Sequence, residues 1–579
     1  MSLSENKAYF VNTKDEVLRI DPKEKTSRNA RNHLILGDYV RYLGETKGEW
    51  VKVRSRGNPG WLKEDWLTDQ QMLEVNFVDI GQGDGCHIVT PDDEIILIDA
   101  GVGKGFGGDE GDNMSRFINW RYNLRKRRVA GVDGVGPNDP DAKKPVDIDY
   151  AIISHPDLDH YYGFYSLFEN KKLKFKKVCH NGIVERPEPD EPTTPWYYDL
   201  GRKIESHQDG NTYLWDTVTT DAEMKALLDE HEDTRKLYIK TLLEARKNNP
   251  QLTYEFLHSK KGYLDHFKEN HSLSLQILGP IVQEVEHNGE NRKCLVRFSS
   301  EGVTKNGHSI VFQLEIGKLK IMLGGDLNSD SQDYLAQQYS AIDTELSELE
   351  EDIHKYTSLL SSPEHKDESL DKRRKWEQKL DEARKLRQLI ISKVRAYIKT
   401  DIAKACHHGA SDVLDSFLHC IHPLATIISS GDNESHSHPR PDALGAFGKS
   451  SRGARPLIFS TELARSSQEF SYPIKFYSIL KKIDEQIEEI TDTLKAGGLS
   501  SSEKSDLKDR KELLRNRMLS MRESNVARYG MITIRTDGEK VIIAQKLEKA
   551  RSEGQKWDIY ELSWNPKLEE FEYTPGSEH

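Results

Sequence analysis

The chain has 579 residues and no apolar run approaching the roughly eighteen that a membrane-spanning helix needs, so no helical span is expected. Its first residues, Met1-Ser2-Leu3-Ser4-Glu5-Asn6-Lys7, lack the basic-then-apolar layout of a secretory signal. Cysteine is scarce. Five residues, scattered and odd in number, argue against a disulfide framework and for a reducing, cytoplasmic setting. An excess of positive charge is also missing, and a net charge of -13 gives no long-range pull on nucleic acid. With 31% charged residues and a mean hydropathy of -0.72 the composition is that of a soluble protein. The length exceeds what one core serves, so at least two domains are expected.

Against that background one segment stands out. His155-Pro156-Asp157-Leu158-Asp159-His160 follows the apolar run Tyr150-Ala151-Ile152-Ile153, so two imidazoles and two carboxylates share one tight loop behind a strand. A core would have to neutralise these groups, and a pair of divalent cations would use all four. Three later strand ends repeat the form: Leu319 to Leu323 leads into Gly324-Gly325-Asp326, Ile402 to Ala405 into Cys406-His407-His408-Gly409, and Ile427-Ile428 into Asp432-Asn433 and His436-Ser437-His438. Upstream, Ile95 to Ile98 ends in Asp99-Ala100-Gly101. A single strand-end carboxylate is an ordinary turn residue. Five strand ends carrying Asp or His predict a sheet rim where ligands converge. Cys406, alone in an apolar stretch, reads as packing.

Residues 1–70 read as short strands separated by turns, among them Glu16 to Ile20, Tyr39 to Leu43 and Trp50 to Arg54, with Asn58-Pro59-Gly60 as a turn before Trp61-Leu62. Their order resembles the bacterial Src-homology-3-like barrel, which implies a small docking domain with a possible protein partner. The rest, 71–579, reads as one domain with insertions at 185–270, 333–400 and 474–528. The first insertion is polar, contains prolines and then turns helix-like, and it is not expected to join the sheet. The other two carry apolar residues at helical spacing among dense charge. Each breaks mid-way, at Ser361-Ser362-Pro363 and Gly497-Gly498, which predicts two helical hairpins suited to a homodimer or to gripping a long partner. The Gly-rich and acidic stretch 101–112 is expected to form a loop near the site. Met531 to Arg535 and Lys540 to Ala544 read as a strand pair closing the core.

In order, the motifs resemble the metallo-β-lactamase superfamily, and within it the branch found as the C-terminal domain of ComEC, the bacterial DNA-uptake protein. VNFVDIGQGDG is similar to that branch's DVGQGD strand and LIDAG to its LIDxG. ISHPDLDHYYGF is similar to (S/T)HxxxDHxGG, NGHSIVFQLEIGKLKIMLGGDL to NxSLVLxLxxGxxxxLLTGD, KACHHGASD to KVPHHGS, and IISSGDNESHSHP to IISxGxxNxxxHP. The resemblance spans about 73 to 460 and implies an α+β fold, an αββα sandwich with a small N-terminal β-barrel and inserted helical hairpins. It implies that His155 and Asp157 serve one metal and Asp159 and His160 the other, with Asp326 bridging and His407 or His408 as the second-site histidine. Asp157 stands where the superfamily's HxHxDH has its middle histidine, which shifts preference from zinc towards manganese or magnesium without excluding zinc. His308 or His180 is the candidate for a further histidine ligand.

That resemblance, with the basic segments and the helical arms, points to a dinuclear metal-dependent hydrolase, a phosphodiesterase or nuclease acting on DNA. Since the membrane channel of ComEC is not in this sequence, a role in defence against foreign DNA is expected rather than DNA transport. Asp159 and Asp326 would orient the attacking water, while His438, Lys404 and Asn433 would bind phosphate oxygen or protonate the leaving group. The basic segments 116–128 and 171–177, with aromatics interleaved, read either as a phosphate track or as solvated faces. Two other readings stay open: a small-molecule hydrolase on the same site, cleaving cyclic nucleotides, phosphoesters or lactones, and a non-enzymatic interaction scaffold.

Overall fold

The structure is a computed structural model. It describes residues 3–23, 29–81, 83–102, 112–134, 136, 139, 142–187, 199–206, 209–269, 271–366, 368–431, 437–453, 455–461, 473–496, 498, 500–526, 531–547 and 550–575, with side chains omitted at 473–478, 501 and 519–526. Stretch 103–111 and Asn433 therefore lie outside the described residues.

The chain is mixed α+β. Its short apolar runs become strands buried on both faces, as sheets covered on both sides require: Ile95–Ile98, Leu73–Phe77 and Ala425–Ile428 have no exposed residue. Ten strands form one sheet in the order Thr253–Phe256, Leu173–His180, Val146–Ile152, Ile95–Ile98, Cys86–Val89, Leu73–Phe77, Ile532–Thr536, Val541–Lys546, Trp557–Asn565, Glu570–Glu572. Six form a second in the order Leu273–Gly279, Val311–Ile316, Leu319–Leu323, Ile402–Lys404, Ala425–Ile428, Leu457–Ser460. The period-two alternation of side chains sorts them into layers. Ile96 and Ile98 join Phe312, Ile321 and Ile427 in a core between the two sheets. Ile95 and Leu97 face the other way, against Phe117, Phe164 and Leu242 of an outer helical layer. Met322, Ala403 and Ile428 of the second sheet pack on Leu335, Val394 and Phe417 of helices on the opposite outside.

Strand direction places the site. Ile95–Ile98, Val146–Ile152 and Leu173–His180 are parallel neighbours, and so are Leu319–Leu323, Ile402–Lys404 and Ala425–Ile428. The carboxyl ends of each parallel set therefore open on one edge, where α/β sheets place their ligands.

Residues 8–68 form a separate seven-stranded antiparallel sheet with its own core of Tyr9, Leu18, Val40, Val53 and Leu62. The segment 185–270 departs from its expected place outside the sheet. Thr253–Phe256 pairs in parallel with Leu173–His180 as the sheet's edge strand, and Leu237–Asn248 packs Tyr238, Ile239 and Leu242 into the outer helical core. The strand is only four residues long and sits in polar surroundings, so its sequence carries little signal. The hairpins form as Leu346–Ser361 with Leu370–Ile398, and as Pro473–Ala496 with Ser501–Val526. A separate helix, Ser329–Ser340, precedes the first. Its reversal at Ala341, in the left-handed region, was not evident from charge periodicity.

Candidate metal centre

Asp99, His155, Asp326 and His408 sit one to four positions beyond a strand. Asp99 follows Ile95–Ile98 at φ 57°, and its carboxylate accepts from the Ser154 amide (2.8 Å), the Ser154 hydroxyl (2.6 Å) and His160 Nδ1 (2.9 Å). His155 follows Val146–Ile152, and His160 lies in the helical turn Leu158–Tyr161 behind it. Asp326 follows Leu319–Leu323, and its amide donates to Ser309 Oγ at 2.9 Å. His408 follows Ile402–Lys404, where His407 and His408 both occupy the left-handed region at φ 45° and 52°. Backbone strain of this kind is held only where surroundings fix it. His155 and His160 are fully buried, and Asp84, Asp99, Asp326 and His408 nearly so.

The hydrogen bonds assign the imidazole tautomers. His160 Nδ1 must donate to the Asp99 carboxylate, and His408 Nδ1 must donate to the Ser429 carbonyl at 3.0 Å. Near His155 Nδ1, the Ser154 hydroxyl proton goes to Asp99 and the Ser309 hydroxyl proton to the Asn306 carbonyl. His155 Nδ1 therefore donates to these oxygens, at 3.0 and 3.2 Å. All three Nε2 atoms are left to bind a proton or a cation. Those of His160 and His408 converge: they lie 3.3 Å apart, and both face Asp326 Oδ2, at 3.1 and 3.0 Å. Asp159 Oδ2 is 3.6 Å from His408 Nε2. Fixing Nδ1 on an oxygen acceptor is how proteins orient metal-ligating histidines.

Among the buried donors and acceptors of this cluster, His155 Nε2, Asp84 Oδ1 and Asp326 Oδ1 have no hydrogen-bond partner. Orphaned lone pairs and carboxylates at one place are costly unless a cation joins them. The donors group as His155, His160 and Asp326; as Asp159, His160 and His408; as Asp84, Asp326 and His408; and as Asp84, Asp99 and His160. The residues present thus fit a divalent cation.

The electrostatics agree. Burial would raise the Asp326 carboxyl, yet His408 and His160 hold it well below the usual carboxylate range. Burial would lower His408, but Asp326 and Asp84 push it up to about 10, and Asp326 and Asp99 likewise raise His160. Asp84, against burial, is brought down to about 2 by Lys404 and then His408. Lys404 itself is buried, ion-paired with Asp84 and 3.7 Å from Asp326 Oδ1, so it neutralises carboxylates beneath the site.

Among the sequence-derived candidates, His155, Asp159, His160, Asp326 and His408 meet at this point. His407 turns away, with its Nδ1 3.0 Å from both Asp412 oxygens. His308 spends Nε2 on the Val296 carbonyl at 2.6 Å, and His180 Nδ1 accepts from the Gly182 amide at 3.0 Å. Asp157 is ion-paired with Lys305, and its other oxygen lies 3.6 Å from His155 Nε2. His438 stacks on His408 at a ring distance of 6.3 Å, at the half-buried rim. Asp99 was named only as one of the converging strand ends and Asp84 not at all, although both stand in recognised motifs. Their signal was the GQGDG and LIDAG context, since each alone looks like a turn carboxylate.

The basic segments are largely engaged. Arg121 pairs with Glu74 (3.0 Å), Lys172 with Asp133 (2.9 Å), Lys176 with Asp149 (2.5 Å), and Lys177 with Glu255 and Asp265 (2.6 and 2.7 Å). Arg125 donates to the Asn516 carbonyl of the second hairpin. Among the described residues no helix is long and apolar enough to cross a membrane. No protein-family model matches the sequence, and no curated protein matches it.

Proposed function

We propose that the chain is a metal-dependent phosphodiesterase, built on a metallo-β-lactamase-type αββα sandwich, with DNA as its substrate. The observation that carries this reading is the convergence of the His160 and His408 Nε2 atoms, each with its Nδ1 pinned to oxygen, on the Asp326 carboxylate, with His155 grouped beside them. His155, His160, His408, Asp326, Asp84 and Asp159 are the residues that would hold a divalent cation. Divalent cations bound there supply Lewis acidity towards a phosphoryl oxygen and towards water.

The chain's own groups do the remainder. Asp159, with a side chain 20% exposed, is more open to solvent than Asp84, Asp99 or Asp326 and is placed to accept a proton from the attacking water. His438, stacked on His408 at the rim, would protonate the departing alkoxide. Lys404 offsets carboxylate charge from below, so that the centre does not repel a phosphate. Asp99, Ser154, Ser309 and Ser429 hold the imidazoles in orientation.

A second reading, hydrolysis of a small phosphoester, is favoured by the ion pairs that already occupy Lys172, Lys176, Lys177 and Arg121. Purified protein incubated with plasmid, single-stranded DNA, RNA and bis-p-nitrophenyl phosphate, each with manganese, magnesium or zinc, separates the two. Cleavage of DNA supports the first reading, and cleavage of the small ester alone supports the second. His160→Ala or Asp326→Ala is expected to lower turnover by at least about 100-fold with the fold retained. Full activity in either variant removes both readings.

A further inference from the structure

The His155 side of the centre is poorer in donors than the His408 side. Lys305, on the short helix Glu301–Gly307, is 2% exposed and reaches behind the His155–His160 loop. Its ammonium pairs with Asp157 and, at 2.8 Å, with the buried Glu185. Asp157 is thereby neutralised by a charge that the chain itself supplies. His308 Nε2 is engaged by the Val296 carbonyl and His180 Nδ1 by the Gly182 amide, and among the described residues neither histidine groups with the donors around His155. Besides Asp157 Oδ2, 3.6 Å from His155 Nε2 on a carboxylate that Lys305 already pairs, His155 has only Asp326 and His160, both shared with the other side. On the His408 side, His160, His408, Asp159, Asp84 and Asp326 all remain available.

Resting on the reading of this cluster as a metal centre, we propose that Lys305 takes over the charge role of a second cation. The wild-type chain then holds one divalent cation tightly, on the His408 side. Lys305 is a positioning residue in this account, since it touches Asp157 and Glu185 rather than substrate. Asp157 is its counter-ion through Oδ1, and the nearby ammonium weakens the hold of Asp157 Oδ2 on a cation beside His155. The arrangement makes cation number a property of one lysine.

Equilibrium dialysis of the full chain against excess Mn(II), followed by elemental analysis, tests this directly. One manganese per chain is expected in the wild type and two in Lys305→Met, because the variant frees Asp157 beside His155. Two tightly held ions in the wild type, or an unchanged count of one in the variant, would overturn the proposal. Should Lys305→Met fail to fold, Asp157→Asn decides: a count that stays at one supports the assignment, and a count of zero overturns it. Hydrolysis of bis-p-nitrophenyl phosphate by the same wild-type preparation judges the proposed function separately. One bound ion without hydrolysis removes the activity and leaves the Lys305 assignment standing, whereas no bound ion removes both.

Discussion

Gly83 shows how closely single residues constrain this site. It sits at φ +102°, and a Cβ added there would lie 1.9 Å from the Asp159 carbonyl oxygen. The neighbouring Asp84 amide bonds that same carbonyl at 3.3 Å. Gly83→Ala is therefore expected to push the His155–His160 loop away from Asp84 and to cost at least about tenfold in metal affinity, measured by titration calorimetry. A second prediction concerns protons. In the metal-free protein His408 is raised from 6.5 to about 10, and His160 is raised as well. A raised folded-state pKa contributes stability that is complete below the unfolded value and is lost as pH climbs through the folded one. Chelator-treated protein should thus lose urea resistance between about pH 6.5 and 10. Cation binding should release protons and tighten as pH rises, which calorimetry in buffers of differing ionisation enthalpy measures. Proton uptake on binding would contradict this. The histidines and Asp326 were legible in sequence because they cluster or follow glycines at strand ends. Lys305 was not, because a lysine in a seven-residue helix carries no sign of its partners.

At the scale of elements, a buried ion cluster joins parts of the chain that the sequence does not connect. Glu74 on Leu73–Phe77 receives Arg121 from the helix Asn113–Arg121 at 3.0 Å and Arg535 from Ile532–Thr536 at 2.8 Å. Arg535 also approaches Asp38 of the N-terminal sheet, at 3.9 Å. Glu74→Ala would leave the buried Arg535 guanidinium without its nearest partner. A loss of roughly 3–5 kcal/mol is expected by chemical denaturation, and a loss under 1 kcal/mol would show the cluster to be an ordinary surface pairing. The long hairpins were readable from apolar spacing and a Pro or Gly break, features that survive without tertiary context. Thr253–Phe256 was not, because its place is set by pairing with Leu173–His180 rather than by its own residues. The strands Trp557–Asn565 and Glu570–Glu572 extend the sheet beyond the predicted closing pair for the same reason.

For the whole molecule, layering explains why motifs scattered from Asp84 to Ser429 meet. The two sheets share one core, so the carboxyl ends of both parallel sets face a common edge, and a contact such as His160 to Asp326 crosses from one sheet to the other. The order of the motifs conveyed that convergence, while the ion pairs that occupy the basic segments depend on strands and helices distant in sequence. The measurement that bears most directly on the account is an anomalous difference map from crystals of the protein grown with manganese. The account predicts a strong peak within coordination distance of Asp326 and of the Nε2 atoms of His160 and His408. A map with no peak at that position, at full manganese occupancy elsewhere or nowhere, would contradict it.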